Sequence, residues 1–315
     1  MLSRTAACLY WMGRYMERAE NLARVLEVGY RMDQMPSRAH KDGNEWDSLI
    51  VAAACDEGFR EQYDDANLET VVSYLGMDEA NPSSIRGCLE IARTNARAVR
   101  PALTTEIWES LNDSWLEFNS KWQHSLKERN LLDFLDWVKT RTMIFRGAMH
   151  GNMLRDEAYS FINLGTYVER ADNTARILDV KYHILLPAGE QVGGSVDYYQ
   201  WSTILRSVSA LGSYHWLYRD AIRPWMVAEL LILRNEMPRS LVYTLSQVVK
   251  SLETTSRRQQ IGGESLRLSG RLHSQLSYSK VEDVFAVGLH EYLTRFLEQN
   301  NLLADAIAEE YHFYL

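Results

Sequence analysis

Apolar residues recur at intervals of three and four along most of the chain, whereas strict alternation of apolar and polar residues is almost absent. The first long run, residues 2–32, contains no proline. Its periodic apolar positions are Leu9, Met12, Met16, Ala19, Ala23, Leu26 and Tyr30. This spacing places apolar side chains on one face of an α-helix, which would be about 45 Å long at 1.5 Å per residue. The hydrophobic pattern therefore predicts an all-α protein.

Further runs with the same period are separated by segments that contain proline or glycine. The runs cover residues 83–100, 104–128, 131–150, 157–185, 198–219, 225–235, 239–260 and 281–313. The breaks fall at 77–84, Pro101, 185–195, Pro224, Pro238 and 261–265. Because proline and glycine interrupt helices, we predict a helical bundle of about ten helices.

One string occurs twice in the chain. Residues 15–26 read YMERAENLARVL, and residues 167–178 read YVERADNTARIL. Aligning residues 9–30 with residues 161–182 gives 11 identities in 22 positions. Common residue types alone would give roughly one or two identities. The similarity therefore predicts an internal duplication.

The similarity continues downstream at a nearly constant offset. The matched pairs are Trp46 with Trp201 and Pro82 with Pro238. We therefore predict two tandem copies of a helical unit of roughly 155 residues, related by an approximate two-fold axis. The predicted copies, packed together as one domain, are residues 1–152 and 153–315.

The repeated string is rich in charged and amide side chains. Its candidate site residues are Glu17, Arg18, Glu20, Asn21, Arg24, Glu169, Arg170, Asp172, Asn173 and Arg176. Most of these positions share one polar sector of a helical wheel, and the second residue of each Glu-Arg pair lies on its flank. The polar positions match between the copies better than neighbouring apolar ones, such as Leu22 against Thr174. The string is therefore the candidate functional site.

Three interpretations of this string remain open. It could be a solvated helix face, on which pairs such as Glu20 with Arg24 contribute a few tenths of a kcal/mol each. It could be a buried polar layer, in which Glu17 and Glu169 lie close to arginines of the opposite copy. It could also be a polar pocket, with arginines for a carboxylate or phosphate and acids for an amine.

The overall composition is that of a folded protein, with 46% apolar and 24% charged residues. The net charge of −8 argues against sequence-independent binding to nucleic acid or to an anionic membrane, because both need a basic surface. The three cysteines, Cys8, Cys55 and Cys88, lack the spacing of a disulfide framework or a zinc site. No signal peptide or membrane-spanning run is evident, so the sequence predicts a cytoplasmic protein.

Other chemical motifs are weak. Glu309 and His312 have the spacing of a di-iron ligand pair, but such sites need two of these motifs. The segment 261–265, IGGES, is too short for a phosphate-binding loop and lacks its lysine. We therefore predict no bound metal and no cofactor, and the residues alone assign no catalytic group.

Several long strings resemble the bacterial Alpha-E family, an all-helical domain named for an E-R motif. They include YWMGRYMERAENLARVLEV, ERADNTARILDVKYHILLP, SSIRGCLEIARTNARAVR and VAELLILRNEMPRSL. The resemblance extends from residue 2 to about residue 312. It implies that the E-R motif residues of this chain are Glu17, Arg18, Glu169 and Arg170.

The resemblance also implies partners. Proteins of this family are commonly encoded beside, or fused to, a circularly permuted ATP-grasp protein, often with a transglutaminase-like peptidase nearby. This context implies bacterial peptide synthesis or modification, with the helical chain as an accessory or substrate-presenting partner of the ligase. Two alternatives remain open: an enzyme in its own right that acts on carboxylate, amine or peptide substrates at the E-R residues, and a purely structural helical scaffold.

Overall fold

The computed structural model of the protein describes residues 1–34, 45–123, 126–183, 194–259 and 263–313. These residues form fifteen α-helices and no β-strand, which confirms the all-α prediction. The helices are α1 (Ser3–Asp33), α2 (Glu45–Ala52), α3 (Asp56–Arg60), α4 (Leu68–Val72), α5 (Ile85–Ala98), α6 (Thr105–Glu117), α7 (Leu131–Asn152), α8 (Glu157–His183), α9 (Ser195–Ser207), α10 (Leu211–Tyr218), α11 (Pro224–Ala228), α12 (Leu241–Gln259), α13 (Glu264–Tyr278), α14 (Val281–Val287) and α15 (Leu289–Glu310).

The two helices that carry the repeated string, α1 and α8, pack side by side through the centre of the molecule. They run in the same direction, because their contacts advance together from Met1 with Glu157 to Arg18 with Glu169. Helices α5, α7 and α9 also cover α1, while α2, α12 and α15 cover α8. Both central helices are therefore enclosed by other helices.

This enclosure decides against one of the three interpretations of the repeated string, the solvated helix face. Leu22 and Leu26 on its apolar side are buried, and so are Glu17 and Glu20 on its polar side. The hydrophobic period marked only the side that packs on apolar neighbours. The polar side is buried as well, because charged side chains of other helices pack against it.

Several predicted helix boundaries were wrong. The predicted helix 198–219 is interrupted between α9 and α10, where Ser209 has a left-handed backbone with φ 58°. The predicted helix 281–313 is divided at Gly288, which has φ 101°. Glycine adopts positive φ at little cost. No proline marks either break.

Other helices were not predicted. The short helices α2 to α4 and the whole of α13 lie outside the periodic runs identified in the sequence. The predicted breaks at 185–195 and 261–265 lie partly outside the described residues. Within the described part of the chain, no helix is both long enough and apolar enough to span a membrane.

The order of elements after α8 resembles the order after α1. Trp46 on α2 and Trp201 on α9 are both buried. A π-helical turn follows α4 at Ser73–Met77, and another follows α11 at Glu229–Leu233. These local similarities agree with the sequence repeat. The division into copies at residues 152 and 153 stays a prediction.

Two serines begin equivalent helices in this order. Ser84 caps α5 by accepting a hydrogen bond from the backbone N–H of Gly87 at 3.0 Å. Ser240 accepts one from the backbone N–H of Tyr243 at 3.1 Å, at the start of α12. Both serines are fully buried. The residues just before them, Ser83 and Arg239, therefore occupy comparable positions beside the central helices.

Candidate functional site

Two reciprocal ion pairs join α1 and α8. Arg170 donates from Nε to Glu17 Oε1 at 2.9 Å and from Nη2 to Glu17 Oε2 at 2.8 Å. Arg18 donates from Nε to Glu169 Oε1 at 2.6 Å and from Nη2 to Glu169 Oε2 at 3.2 Å. Glu17 is 1% exposed and Glu169 is 2% exposed. Each Glu-Arg pair of the sequence thus contacts its counterpart on the other helix in bidentate geometry.

On one side of this contact, further arginines pair with Glu17 and Glu20. Arg239 donates from Nη1 to Glu17 at 3.0 Å and from Nη2 to Glu20 at 2.5 Å, so its guanidinium bridges the two acids. Arg146 of α7 is ion-paired with the same two acids. Arg24 donates to Glu20 from Nε at 3.1 Å and from Nη2 at 2.6 Å. We call these groups the closed cluster: Glu17, Glu20, Arg24, Arg146, Arg170 and Arg239.

On the other side a cavity of about 200 Å³ remains between α1, α8 and the connection from α2 to α3. Arg14 donates to Glu169 Oε2 at 2.7 Å, beside the pair with Arg18. Arg176 donates from Nε to Asp172 at 2.6 Å. We call this space the α1–α8 cavity; its polar lining residues are Arg14, Arg18, Asn21, Cys55, Ser83, Glu169, Asp172, Asn173, Arg176 and Asn301.

Two amides at the cavity lack hydrogen-bond partners. Asn21 is 5% exposed and Asn173 is 3% exposed. Asn21 Oδ1 and Asn173 Nδ2 are buried without a partner among the described residues. A buried polar group left unpaired costs roughly 1–3 kcal/mol. The two amides match in the sequence repeat, and both residues line the cavity.

Three buried acids, Glu17, Glu20 and Glu169, are ionised at neutral pH. Burial by itself raises the pKa of Glu17, but the charges of Arg170 and Arg239 outweigh it and hold this pKa at about 2. Burial likewise raises the pKa of Glu169, and the charges of Arg18 and Arg14 lower it to about 2. The pKa of Glu20 falls well below its ordinary value, because its arginines also outweigh burial.

The arginines outnumber these acids. In the closed cluster four arginines surround two glutamates. At the cavity Arg14, Arg18 and Arg176 face Glu169 and Asp172. Burial lowers the pKa of Arg239 to about 10, despite the opposing charge of Glu20, so this group is still protonated at neutral pH. We call the closed cluster and the polar lining of the cavity together the interior layer. This layer contains more arginines than acids, and its surplus positive charge favours an anionic group nearby.

The structure places the ten predicted site residues in two sets. Those in the closed cluster are Glu17, Glu20, Arg24 and Arg170. Those at the cavity are Arg18, Asn21, Glu169, Asp172, Asn173 and Arg176. None lies on a solvated face; the side chain of Arg18 is 24% exposed, and those of Arg176 and Asp172 less. Whether they bind a substrate stays a prediction.

Several residues of the layer were not predicted. Arg14 lies four residues before Arg18, on the same face of α1, which was a usable signal. The alignment of the two copies matches Arg239 with Ser83. A charged residue in place of a small polar one was a signal that could have identified Arg239. Arg146 and Thr142 reach Glu20 from α7, and no sequence pattern indicates that contact.

The described residues contain no group of three or more histidine, cysteine, aspartate or glutamate side chains placed to hold a metal ion. Near the layer, burial raises the pKa of Cys88 to about 12, so its thiol is neutral. Burial also raises the pKa of Cys55, which lines the cavity. Neither thiol is a reactive thiolate at neutral pH.

Comparison with known proteins gives bacterial relatives. Uncharacterized proteins of Mycobacterium bovis and of two strains of Mycobacterium tuberculosis are each 26% identical to the chain over 321 aligned residues. The match covers 93% of the chain and 35% of each relative, so the chain spans about a third of their length. No solved structure matches the chain significantly. The Alpha-E model, described as a predicted alpha-helical domain with a conserved ER motif, matches residues 1–312, and the chain belongs to this family.

Proposed function

We propose that this chain is a substrate-presenting partner of a circularly permuted ATP-grasp ligase in bacterial peptide synthesis or modification. The substrate would lie in the α1–α8 cavity. Membership of the Alpha-E family supports the expected partner, and the greater length of the mycobacterial relatives is compatible with a fused neighbour. The observation that carries the binding role is the pair of buried, unpaired amides of Asn21 and Asn173 at that cavity.

The ligand is a small molecule that carries both a carboxylate and a cationic nitrogen group. Arginines and acids line the same cavity, so each charge of such a ligand finds an opposite charge. The volume of about 200 Å³ is below the roughly 300–1,000 Å³ of sites for drug-sized molecules. An amino acid or the end of a peptide has the required charges and size.

A presenting role is favoured over independent catalysis by the state of the acids. A general base works best when its pKa lies near the working pH. Glu17 and Glu169 have pKa values of about 2, and arginines hold their carboxylates. Cys55 is no better as a nucleophile, because burial raises its pKa. Activation of the substrate then belongs to the ligase.

The closed cluster supports a structural role for its own members. Glu17 and Glu20 accept hydrogen bonds from arginines of the cluster, and neither acid lines the cavity. The cluster fixes how α1 and α8 pack, and the cavity on the other side holds the ligand. Scaffold and binding site are thus two parts of one layer.

The test uses Asn173→Ala in the full chain, with Asn152→Ala on the exposed end of α7 as the matched control. Removing an unpaired buried amide leaves the melting temperature unchanged or higher. Product formation with the ATP-grasp partner should nevertheless fall at least tenfold for Asn173→Ala and stay normal for the control.

Two further measurements complete the test. The chain and the ATP-grasp protein should co-elute in gel filtration at micromolar concentration. Normal product formation by Asn173→Ala, or failure to co-elute, would overturn the proposed function. Turnover by the purified chain without the ligase would favour the alternative of an independent enzyme.

A further inference from the structure

The closed cluster shows how one guanidinium group can bind between two acids of a central helix, and the cavity contains a similar pair of acids. Glu17 and Glu20 are three residues apart on α1, and the guanidinium of Arg239 bridges them with one nitrogen on each. On α8 the corresponding acids, Glu169 and Asp172, are also three residues apart and line the cavity. The residue in the position of Arg239 is Ser83, whose short side chain also lines the cavity.

The comparison of Arg239 with Ser83 rests on local geometry as well as on sequence. Each residue directly precedes a buried serine that caps the next helix. Helix α12 after Arg239 packs on α8, and helix α5 after Ser83 packs on α1. Each residue therefore reaches the layer from a comparable place. Arg239 extends to the acids of α1, whereas Ser83 accepts a hydrogen bond from Arg18 Nη1 at 3.0 Å.

The acids at the cavity also have spare acceptor capacity. Among the described residues, Glu17 accepts four hydrogen bonds and Glu20 accepts five. Glu169 accepts three and Asp172 accepts two, all from arginines of the chain. An ionised carboxylate can accept about four. The side without a bridging guanidinium is thus the side with free acceptor positions.

We infer that the α1–α8 cavity binds a guanidinium group, seated between Glu169 and Asp172 as the side chain of Arg239 is seated between Glu17 and Glu20. This inference rests on the proposed function and specifies its substrate class: an arginine-like molecule that also carries a carboxylate. A planar guanidinium reaches two acids with two separate nitrogens, whereas an ammonium is a compact point charge. The unpaired amides of Asn21 and Asn173 and the surplus arginine charge serve the rest of the ligand.

Binding is tested with L-arginine and its neutral analogue L-citrulline, which replaces the guanidinium by a ureido group. Cys55 lines the cavity, while Cys8 and Cys88 are buried. Alkylation of Cys55 by iodoacetamide at alkaline pH, where part of this thiol is ionised despite its raised pKa, therefore reports occupancy of the cavity. At millimolar concentration L-arginine should slow this alkylation at least fivefold, and L-citrulline should leave it unchanged. Agmatine, which lacks the carboxylate, should protect less than L-arginine. Equal protection by citrulline, or none by arginine, overturns the inference.

A second test places the guanidinium on the chain itself. Ser83→Arg gives the cavity the side chain that Arg239 supplies to the closed cluster, so it should abolish protection by L-arginine and slow Cys55 alkylation without any ligand. Ser274→Arg on the exposed face of α13 is the matched control and should bind as the wild type does. If Ser83→Arg leaves arginine binding intact, the inference fails.

The two proposals fail in different ways. Arginine binding with normal product formation by Asn173→Ala keeps the guanidinium site and removes the role beside the ligase. Absence of arginine binding, together with loss of product by Asn173→Ala, keeps the presenting function and removes the guanidinium class. The two assays are independent, since one needs only the purified chain and the other needs the ligase.

Discussion

Gly13 and Gly165 each lie against the backbone of the other central helix. A Cβ atom on Gly13 would be 2.3 Å from the carbonyl oxygen of Ile162, and one on Gly165 would be 2.0 Å from the carbonyl oxygen of Tyr10. Neither distance is possible for a real Cβ, and a backbone carbonyl cannot move aside as a flexible side chain can. The close approach of α1 and α8 therefore requires glycine at both positions.

Replacing Gly165 by alanine should destabilise the protein. Overpacking usually costs about 1–3 kcal/mol, and a clash with backbone places Gly165→Ala at the upper end. The matched control is Gly147→Ala on α7, where nothing lies within 4 Å of the added carbon. In that helix interior alanine should stabilise by about 1 kcal/mol. Urea unfolding measures both, and a neutral Gly165→Ala would contradict the close packing.

Breaking one reciprocal pair should leave a buried acid with fewer counter-charges. Arg170→Met removes both hydrogen bonds from Arg170 to Glu17. Because Arg146 and Arg239 still pair with Glu17, the expected loss in the free energy of unfolding lies below the roughly 3–5 kcal/mol that an uncompensated buried charge costs. Arg267→Met is the control, because Arg267 and its partner Glu264 are more than half exposed. The control should leave the free energy of unfolding nearly unchanged, because water screens an exposed ion pair. An equally small change for Arg170→Met would contradict a stabilising role of its pair with Glu17.

Stability should fall in acid because of Glu169. Its folded-state pKa of about 2 lies below its ordinary value of 4.5, since the charges of Arg18 and Arg14 outweigh burial. The contribution is therefore fully present above about pH 4.5 and is lost as the pH falls towards 2. The difference corresponds to about 3 kcal/mol. Between pH 6 and pH 3, the free energy of unfolding of Glu169→Gln should decline less steeply than that of the wild type.

Chemical rescue tests the bridging role of Arg239. Arg239→Ala removes the guanidinium that joins Glu17 and Glu20, and we expect a clear loss in melting temperature. Methylguanidinium at millimolar concentration can occupy the vacated place, so it should raise the melting temperature of this variant and leave the wild type unchanged. Methylammonium is the control cation and should raise it less. Equal effects of both cations would contradict a specific guanidinium site.

The long helices and the contact between them could be predicted from the sequence. The apolar period set the extent of α1 and α8 to within a few residues. The match of Glu17-Arg18 with Glu169-Arg170 indicated that the two helices share a polar layer. The first inference uses residues close together in the chain, where spacing directly encodes which side chains share a face. The second uses the recurrence of one string much further along the chain.

The rest of the layer depends on tertiary packing that spacing does not encode. Arg146 reaches Glu20 only because α7 packs on α1. The break at Ser209 carries no glycine or proline, and Arg24 donates to the carbonyl oxygen of Ser207 that this break leaves free. The cavity lies beside Ser83, whereas the comparable position in the closed cluster is occupied by the long side chain of Arg239. Its presence could be recognised only after both positions were placed in space.

The reciprocal ion pairs also affect how the chain can fold while it is being synthesised. Glu17 is synthesised 153 residues before Arg170 and 222 residues before Arg239. At about 5–20 residues per second, its partners arrive roughly 10 to 40 seconds later. Until Arg170 and Arg239 are synthesised, Glu17 lacks two of the three arginines that pair with it in the described structure, whereas Glu20 already has Arg24 and Arg146. We therefore expect the contact between α1 and α8 to close only after the segment that carries Arg239 has left the ribosome.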